Sequence, residues 1–484
     1  MANWYKIQKQ LDYLKRIHTT LDEDYQALQD QILGNLVNKL KAAMNEVQKL
    51  EKKQDLAETN ERKKNETQYK AWKYPLIKKS LDAAIGGLKM WQEVFDPTWY
   101  QTMRLSDELI DIELDKSTSS MAGTPMEDAA RKTISTAKSV RNSLRSDPQS
   151  GTSMFLPADT TSGFVRTAIP YSTASLYQRG PKSTLHILDS VPSTPGINPN
   201  IQSEDVRNLA RKLTGTDPMG FGLLRCRGVA KVYDASSTIT AYDFVFYIPS
   251  SLRSPQSLRN VLIESEPKIS LSTRFHIAQQ LARSLSYVHT YGFVHKGIRP
   301  ETVLVLDSDT SELAASFLLG FEKFRAAEGR TLKAGDSAWE RDLYRHPRRQ
   351  GLRPEDEYVM QHDIYSLGVC LLEIGMWRTL VTYNNTKDSP IPSQLLPPPD
   401  YTEKNEVGKA TSLKDSLVAL AQRELPSCMG DKYTDIVVSC LTCLDESNPD
   451  FSDESEFRDQ DDVIIGVRYI EKVSITFLTN LARD

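Results

Sequence analysis

The amino-acid sequence predicts an α+β protein, in which an N-terminal α-helical bundle and a bracing helix precede a larger domain of strands and helices. Apolar residues recur at three- and four-residue steps along residues 7–50, which is the spacing of a buried helix face. Helical spacing returns from residue 271 onward, and the intervening strand-like segments are rich in β-branched and aromatic residues. These segments are residues 177–191, 221–233 and 241–248.

The first domain, residues 1–115, is predicted to be the helical bundle. Pro75 marks the start of one helix and Pro97 its end, and residues 103–114 present a further apolar face. About four helices with short connections favour an antiparallel bundle. A coiled-coil dimer is the alternative, although the prolines and the aromatics Trp99 and Tyr100 interrupt a heptad pattern.

A basic cluster lies within this bundle. It consists of Arg62, Lys63, Lys64, Lys70, Lys73, Lys78 and Lys79. Such a cluster is usually a solvated face, and the sharper hypothesis is contact with anionic membrane lipid. No apolar run reaches the ~18–20 residues that span a bilayer, and no signal peptide is visible. We therefore expect a cytoplasmic protein that is recruited to a membrane on activation.

The second region, residues 116–164, is predicted to be a linker and a brace. It begins with the small, polar run STSSMAGT, whose composition is typical of a linker. Residues 126–144 then carry apolar side chains at helical spacing, which predicts the bracing helix. Residues 148–163 are loop-like again, and the third domain is placed at residues 165–484.

The motif VHKGIRPETVLVL, residues 294–306, has a recognisable layout. His295 is followed two residues later by Gly297, then by a Pro-Glu pair, Thr302 and an apolar strand. It resembles the catalytic loop of protein kinases, in which His-Arg-Asp is followed four residues later by Asn. In that resemblance Gly297 stands at the catalytic Asp position and Thr302 at the Asn position.

Other landmarks of the kinase family follow in the usual order. Residues 271–290 resemble the helix before the catalytic loop, 316–324 the Asp-Phe-Gly region, 343–350 the Ala-Pro-Glu region, and 362–377 the central helix. The resemblance implies a bilobal protein-kinase-like fold. The small lobe would cover about residues 165–250 and the large lobe 251–484.

The reactive groups of a kinase are missing from this frame. Gly297, Thr302 and Gly320 supply neither the base nor the magnesium carboxylate that phosphoryl transfer uses. The small lobe has no glycine-rich loop, and Asp189 follows the apolar run where the lysine is expected. The sequence therefore predicts a catalytically dead pseudokinase, not an enzyme, with no catalytic residue, metal or cofactor. Nucleotide binding without catalysis stays open.

Three matching positions carry structural roles in the family that this chain resembles. His295 and Phe321 match residues of the apolar column that joins the lobes, and Asp363 matches the carboxylate that holds the catalytic-loop backbone. The resemblance implies that these are retained as scaffold. Cys440-x-x-Cys443 has metal-like spacing, but without a second pair we interpret it as one face of a helix.

The chain is also similar to filamentous-fungal proteins that carry a helical region ahead of a degenerate kinase domain. That helical region is often related to the prion-inhibition (HeLo-like) domains, and the layout looks like the mixed-lineage-kinase-domain-like protein. The phrases that carry this similarity are residues 88–100, 343–351 and 360–377. It implies a pseudokinase that restrains the helical bundle, in signalling or membrane-targeting cell death.

Two alternatives remain: an active or atypical Ser/Thr protein kinase that binds ATP, and a non-enzymatic scaffold. We expect partner proteins on the pseudokinase surface and a homo-oligomer through the bundle. A net charge of −4 argues against nucleic-acid binding. Thr331 and Ser337, near Arg330 and Lys333, are candidate phosphorylation sites of the switch.

Overall fold

The structure is a computed structural model, and it describes the chain with gaps. The described residues are 2–18, parts of 21–45, 95–96, 99–105, 108–119, 125–145, 153–157, 165–178, 184–193, 198–264, 269–310, 313–321, 325–326, 338–351, 358–383, 389–397, 406–452, 469 and 473. The chain divides into two compact units. The first comprises Met1–Thr102, Asp107–Arg131 and Leu478–Asp484, and the second Met103–Ser106 and Lys132–Phe477.

In the first unit, two described helices pack together, α1 (Ala2–Ile17) and α2 (Glu108–Ser119). Arg16 on α1 forms an ion pair with Glu113 on α2, whose side chain is nearly buried. The fully buried Trp99 meets Tyr13 edge-on, with 5.7 Å between ring centroids. The predicted bundle of residues 1–115 is not confirmed, because much of it, including the basic cluster, lies outside the described residues.

The helix α3 (Pro125–Arg145) occupies the region in which the sequence predicts the brace. Its buried face includes Ile134 and Val140, at the helical spacing that predicts it. The buried Arg141 donates hydrogen bonds to the carbonyls of Met103 and Leu105. The linker prediction is partly wrong, because α2 continues through the first serine–threonine residues of the polar run.

Five antiparallel strands form the small-lobe sheet in the order β1-β2-β3-β5-β4. They are β1 (Val165–Ala168), β2 (Ser175–Gln178), β3 (His186–Pro192), β4 (Cys226–Tyr233) and β5 (Ile239–Tyr247). The sequence does not predict β1, because its four residues are all exposed and show no apolar alternation. The turn of residues 169–174 connects β1 to β2 and lies at the end of the lobe that faces the catalytic loop.

Helix α4 (Pro199–Thr214) connects β3 to β4 and packs on β4. Asn198 caps it, and Pro199 is its first residue, as proline favours. The acidic pair Glu204 and Asp205 would suit a helix start just after Ser203, but the helix begins earlier, so both residues lie beyond its first turn. The short helix α5 (Pro218–Phe221) ends in the left-handed Gly222, so the predicted strand 221–233 begins only at Cys226.

The large lobe combines helices with short sheets. Its helices are α6 (Leu258–Glu264), α7 (Leu271–Thr290), α8 (Trp339–Asp342), α9 (Met360–Met376), α10 (Glu406–Met429) and α11 (Asp431–Leu441). Its strands are β6 (Leu252–Ser257), β7 (Phe293–Val294), β8 (Val303–Ser308), β9 (Ala315–Leu318), β10 (Arg325–Ala326), β11 (Val381–Tyr383) and β12 (Pro390–Pro392). Every residue of α9 is buried, so this apolar helix forms the centre of the lobe.

Two further predictions concern the end of the chain. The proline-rich run IPSQLLPPPD predicts that residues 382–401 are irregular, but β11 and β12 pair as antiparallel strands in this region. Apolar residues at helical spacing predict a last helix at residues 463–481, which lie outside the described residues except at Tyr469 and Val473. Both of these residues are buried. Among the described helices, none is long and apolar enough to cross a membrane.

Candidate functional site: the cleft between the lobes

The catalytic-loop analogue is held by one buried carboxylate on α9. The backbone amides of His295 and Lys296 donate to the two oxygens of Asp363, at 2.7 and 2.9 Å. The hydroxyl of Tyr358 donates to the same group at 2.6 Å. Burial alone would raise the pKa of Asp363, but the hydrogen bond with His289 and the other donors lower it below its usual range. Asp363 is therefore a charged anchor for the loop.

His289, the other partner of Asp363, lies near the end of α7. Its Nε2 is 3.2 Å from Asp363 Oδ2, and its carbonyl accepts a hydrogen bond of 2.8 Å from Arg104. Lys212 donates to the carbonyl of Tyr291, just beyond the helix. Cations are favoured at a helix C-terminus, where carbonyls lack helical partners. A continuous set of polar contacts thus connects residue 104 to the catalytic-loop backbone.

His295 joins the loop to the Asp-Phe-Gly analogue. Its Nε2 is 2.8 Å from the carbonyl of Leu319, and its ring centroid is 4.8 Å from that of Phe321. Burial lowers the pKa of His295 to about 4, so the ring is neutral at neutral pH. The amide of Gly297 donates to the other ring nitrogen, which fixes the tautomer. The predicted scaffold residues His295 and Phe321 are thus in contact.

At the position of the magnesium Asp, Gly320 leaves no room for a side chain. Its φ is +80°, and a Cβ built there would lie 2.2 Å from Thr302 Cγ2. The Thr302 hydroxyl donates to the carbonyls of Gly297 and Arg299, at 2.8 and 2.9 Å. The methyl group of Thr302 therefore fills the space that a carboxylate at residue 320 would need. Gly297 differs, because its Cβ would meet nothing closer than 3.3 Å.

Across the cleft, Asp189 on β3 faces this same backbone. Its side chain is 1% exposed, and Oδ2 accepts hydrogen bonds from the amides of Gly320 at 2.9 Å and Phe321 at 3.4 Å. Thr173 donates to the other carboxylate oxygen at 3.5 Å. Asp189 therefore occupies the expected lysine position and bonds the small lobe directly to the large lobe.

The β1–β2 turn, residues 169–174, adds a second set of interlobe contacts. Ser172 donates to the carbonyl of Glu301 at 2.9 Å, and Ser257 donates to the carbonyl of Pro170 at 2.6 Å. The ring of Tyr171 lies 4.6 Å from that of Tyr383. The turn therefore rests on the catalytic-loop analogue, and the cleft is closed by the protein's own groups.

Arg259 on α6 is a buried centre that sequence reasoning missed. Its guanidinium donates to Glu301 at 2.8 Å and to Glu373 at 2.7 Å, and it also bonds to Tyr344 and Thr379. Burial opposes the charge on Arg259, but the two carboxylates outweigh burial and raise its pKa. Burial likewise opposes the charge of Glu301, and Arg259 lowers its pKa. These contacts join four separate segments of the large lobe.

The closed cleft does not fit a magnesium nucleotide. Positions 297 and 320 carry no carboxylate, and the carboxylate of Asp189 is engaged by the backbone amides of Gly320 and Phe321. Glu301 is committed to Arg259. Within the described part of the chain, no group of three His, Cys, Asp or Glu side chains could hold a metal ion. We therefore derive no chemical step through ATP or magnesium.

Several predicted positions cannot be located. The lipid-contact cluster from Arg62 to Lys79 and the phosphorylation candidates Thr331 and Ser337 lie outside the described residues. Cys440 and Cys443 are buried, and burial raises the pKa of both thiols. Cys440 lies on α11, but Cys443 follows the end of that helix at Leu441, so the interpretation of the pair as one helix face is only partly right.

Fold and loop geometry thus define a protein kinase-like domain in the C-terminal half of the chain. Residues 245–396 match the family model described as protein tyrosine and serine/threonine kinase. The chain has distant serine/threonine kinase homologues, in agreement with the resemblance of the motifs. The match does not extend to the helical N-terminal region. The comparisons do not support the predicted similarity of the chain to fungal, HeLo-like or mixed-lineage-kinase-domain-like proteins.

Two curated relatives illustrate this distance. A serine/threonine-protein kinase-like protein of Arabidopsis thaliana is 27% identical over 146 residues, which are 30% of this chain and 39% of that protein. A probable serine/threonine-protein kinase of Clostridium acetobutylicum is 25% identical over 175 residues, 35% of this chain and 25% of that protein. The chain therefore spans well under half the length of each relative.

These comparisons overturn one prediction. The sequence predicts that the chain is not an enzyme, but the family match and both relatives point to a kinase, so that prediction is wrong. That prediction rested on the glycines at residues 297 and 320, which stand where the kinase family has carboxylates. The structure places both glycines in the cleft. The structure shows the cleft in one closed conformation. The contacts in that conformation do not determine whether the protein is a kinase.

Proposed function

We propose that this chain is a kinase-like signalling protein in which opening and closing of the interlobe cleft controls the helical N-terminal region. The observation that carries the proposal is the closed cleft itself, with Asp189 bonded to the backbone of Gly320 and Phe321 and Ser172 bonded to the catalytic-loop analogue. Only a few hydrogen bonds join the lobes at each contact, and each hydrogen bond contributes a net stabilisation of only about 0.5–1.5 kcal/mol. Breaking these contacts to open the cleft therefore costs little free energy.

The link toward the N-terminal region supports the direction of control. Arg104 bonds to the carbonyl of His289, His289 bonds to Asp363, and Asp363 holds the loop amides. The chain continues from residue 104 into α2, and α3 provides Arg141, which binds the carbonyls of Met103 and Leu105. A movement of the loop would therefore change the hydrogen bonds of residues 103–105. The proposal also includes that the helical region oligomerises and binds anionic lipid.

Loosening the cleft is expected to loosen the helices. In the full-length Ser172→Ala and Asp189→Ala variants, amide hydrogen exchange in α2 and α3 should rise by about fivefold, because each substitution removes roughly 1 kcal/mol of closing interaction. Ser193→Ala is the matched control, since Ser193 bonds to Gln202 in the small lobe, outside the cleft. Unchanged exchange in α2 and α3, combined with faster exchange at residues 320–321, would contradict the proposed coupling.

Phosphoryl transfer of the serine/threonine kinase type is the second candidate, and its support is the similarity to the kinase family model and to the two serine/threonine kinase relatives. It is tested by incubating the purified chain with labelled ATP and magnesium, alone and with a generic protein substrate. Thr302→Val is the informative variant, because it removes the hydroxyl that holds the loop while keeping the volume of the side chain. Transfer that is lost in this variant assigns the reaction to the chain. Transfer that is unchanged points to a contaminating kinase.

A further inference from the structure

A short segment, residues 153–157, lies along β4, which is the last strand of the five-stranded sheet as the structure describes it. We call it the strap. The amide of Leu156 donates to the carbonyl of Val229 at 2.8 Å, and the amide of Val229 donates to the carbonyl of Met154 at 2.9 Å. Phe155 and Val229 form a parallel β-bridge. The strap therefore binds β4 as an added strand does, through main-chain hydrogen bonds.

The side chain of Phe155 gives the contact its aromatic character. Lys231 Nζ, on β4, lies 4.3 Å from the ring centroid, and Arg207 Cζ, on α4, lies 5.6 Å from it. The ring of Tyr242 is 6.5 Å away, centroid to centroid. A cation over an aromatic face is attracted to it, so these neighbours favour an aromatic side chain over an aliphatic one.

The next residue, Leu156, depends on a glycine in β4. Gly228 has φ of +154°, and a Cβ built there would lie 2.8 Å from Leu156 Cδ2 and 3.0 Å from the carbonyl oxygen of Met154. The absence of a side chain at Gly228 thus creates the space that Leu156 occupies. Met154 also contacts α4, where the hydroxyl of Thr214 is 3.7 Å from its sulfur.

We propose that the outer edge of β4 is a docking site for an extended peptide with an aromatic–aliphatic pair, and that the chain fills this site with its own residues 153–157. The strap follows the bracing helix α3, which ends at Arg145, by residues 146–152. Docking therefore ties the brace to α4 and to the small-lobe sheet. This site is independent of the interlobe cleft, and the proposal does not rest on the cleft switch.

The test uses a labelled peptide that copies residues 150–159 (SGTSMFLPAD) and the full chain with Phe155→Ala and Leu156→Asp. The substituted chain, whose strap no longer docks, should bind the peptide with an anisotropy signal. The wild type should bind it at least about tenfold more weakly, because a tethered segment acts at millimolar effective concentration. Adding Gly228→Val to the substituted chain should abolish binding, as should placing the two strap substitutions in the peptide.

Failure of the substituted chain to bind the peptide would overturn the proposal. So would binding by the wild type, or by the substituted chain that also carries Gly228→Val, that equals the binding of the substituted chain. If the substituted chain does not fold, hydrogen exchange of the wild type decides. The amides of Leu156 and Val229 should then exchange slowly and together, and an unprotected Leu156 amide would overturn the proposal. Concentration-dependent dimerisation of the wild type that is lost in Phe155→Ala would show a second copy's strap in the site, which contradicts occupancy within one chain.

Discussion

Replacing Gly320 by alanine is expected to lower the free energy of unfolding by about 2–5 kcal/mol. A left-handed backbone costs a residue with a Cβ roughly 1–2 kcal/mol, and overpacking adds typically about 1–3 kcal/mol. Both effects apply here, because φ is +80° and the new Cβ would lie 2.2 Å from Thr302 Cγ2. Urea denaturation of the full chain, followed by the fluorescence of its tryptophans, measures the change.

Gly297→Ala is the matched control for that experiment. A Cβ at Gly297 would meet the carbonyl oxygen of Gly320 at 3.3 Å, and the backbone is not left-handed, so the expected loss is under about 1 kcal/mol. Adding Thr302→Ser to Gly320→Ala should recover part of the stability, since it removes the methyl group that clashes most. Equal losses for Gly320→Ala and Gly297→Ala would contradict a filled space at residue 320.

Replacing Arg259 by methionine is expected to cost about 3–5 kcal/mol at neutral pH. It leaves the buried Glu373 without its cation, and among the described residues Glu301 keeps only Arg299, at 3.8 Å. Both the Arg259 and Glu373 side chains are fully buried, and Glu301 is nearly so. Arg253→Met is the matched control. Arg253 is largely exposed and pairs with Asp309, which is more exposed still, so its loss should change stability by less than about 1 kcal/mol.

The pH dependence of the Arg259→Met effect follows from the pKa of Glu301. Arg259 depresses that pKa in the folded wild type, so the stabilisation is present above the unfolded value of about 4.3 and is lost as pH falls through the folded value. Without Arg259, burial would favour a higher pKa for Glu301, opposed mainly by Arg299, whose Nε lies 3.8 Å from Glu301 Oε2. The difference in stability should therefore be largest near pH 7 and should shrink on acidification. A small difference that does not depend on pH would contradict the ionic role of Arg259.

The sequence could predict features that depend on local order. The spacing of apolar residues in α7 and α9, and the position of His295 ahead of β8, are readable from neighbouring residues, and the family match confirms the kinase-like domain that they indicate. The glycines at residues 297 and 320 were also visible. The structural consequence of these glycines could not be predicted, because a motif that lacks a carboxylate does not show which side chain fills the vacated space. It also does not show to which class of protein the chain is similar.

Other features arise from contacts between distant residues. Asp189 was visible only as a missing lysine, since its partners lie 131 and 132 residues further along the chain. Arg259 meets Glu373 across 114 residues, and no local pattern marks either as a pair. The strap was assigned to a loop because Phe155 and Leu156 are flanked by small and polar residues. Its strand-like pairing depends on Gly228, whose role becomes evident only when β4 is in place.

The closed cleft is tested most directly by amide hydrogen exchange at Gly320 and Phe321 in the wild type and in Asp189→Ala. Both amides donate to Asp189, so they should exchange slowly in the wild type and much faster in the variant. Asp234→Ala is the control, because Asp234 is an exposed turn residue that bonds only to its close neighbours among the described residues. The closed cleft is supported if exchange at residues 320–321 is slow in the wild type and in Asp234→Ala but fast in Asp189→Ala. Rapid exchange of both amides in the wild type would contradict it.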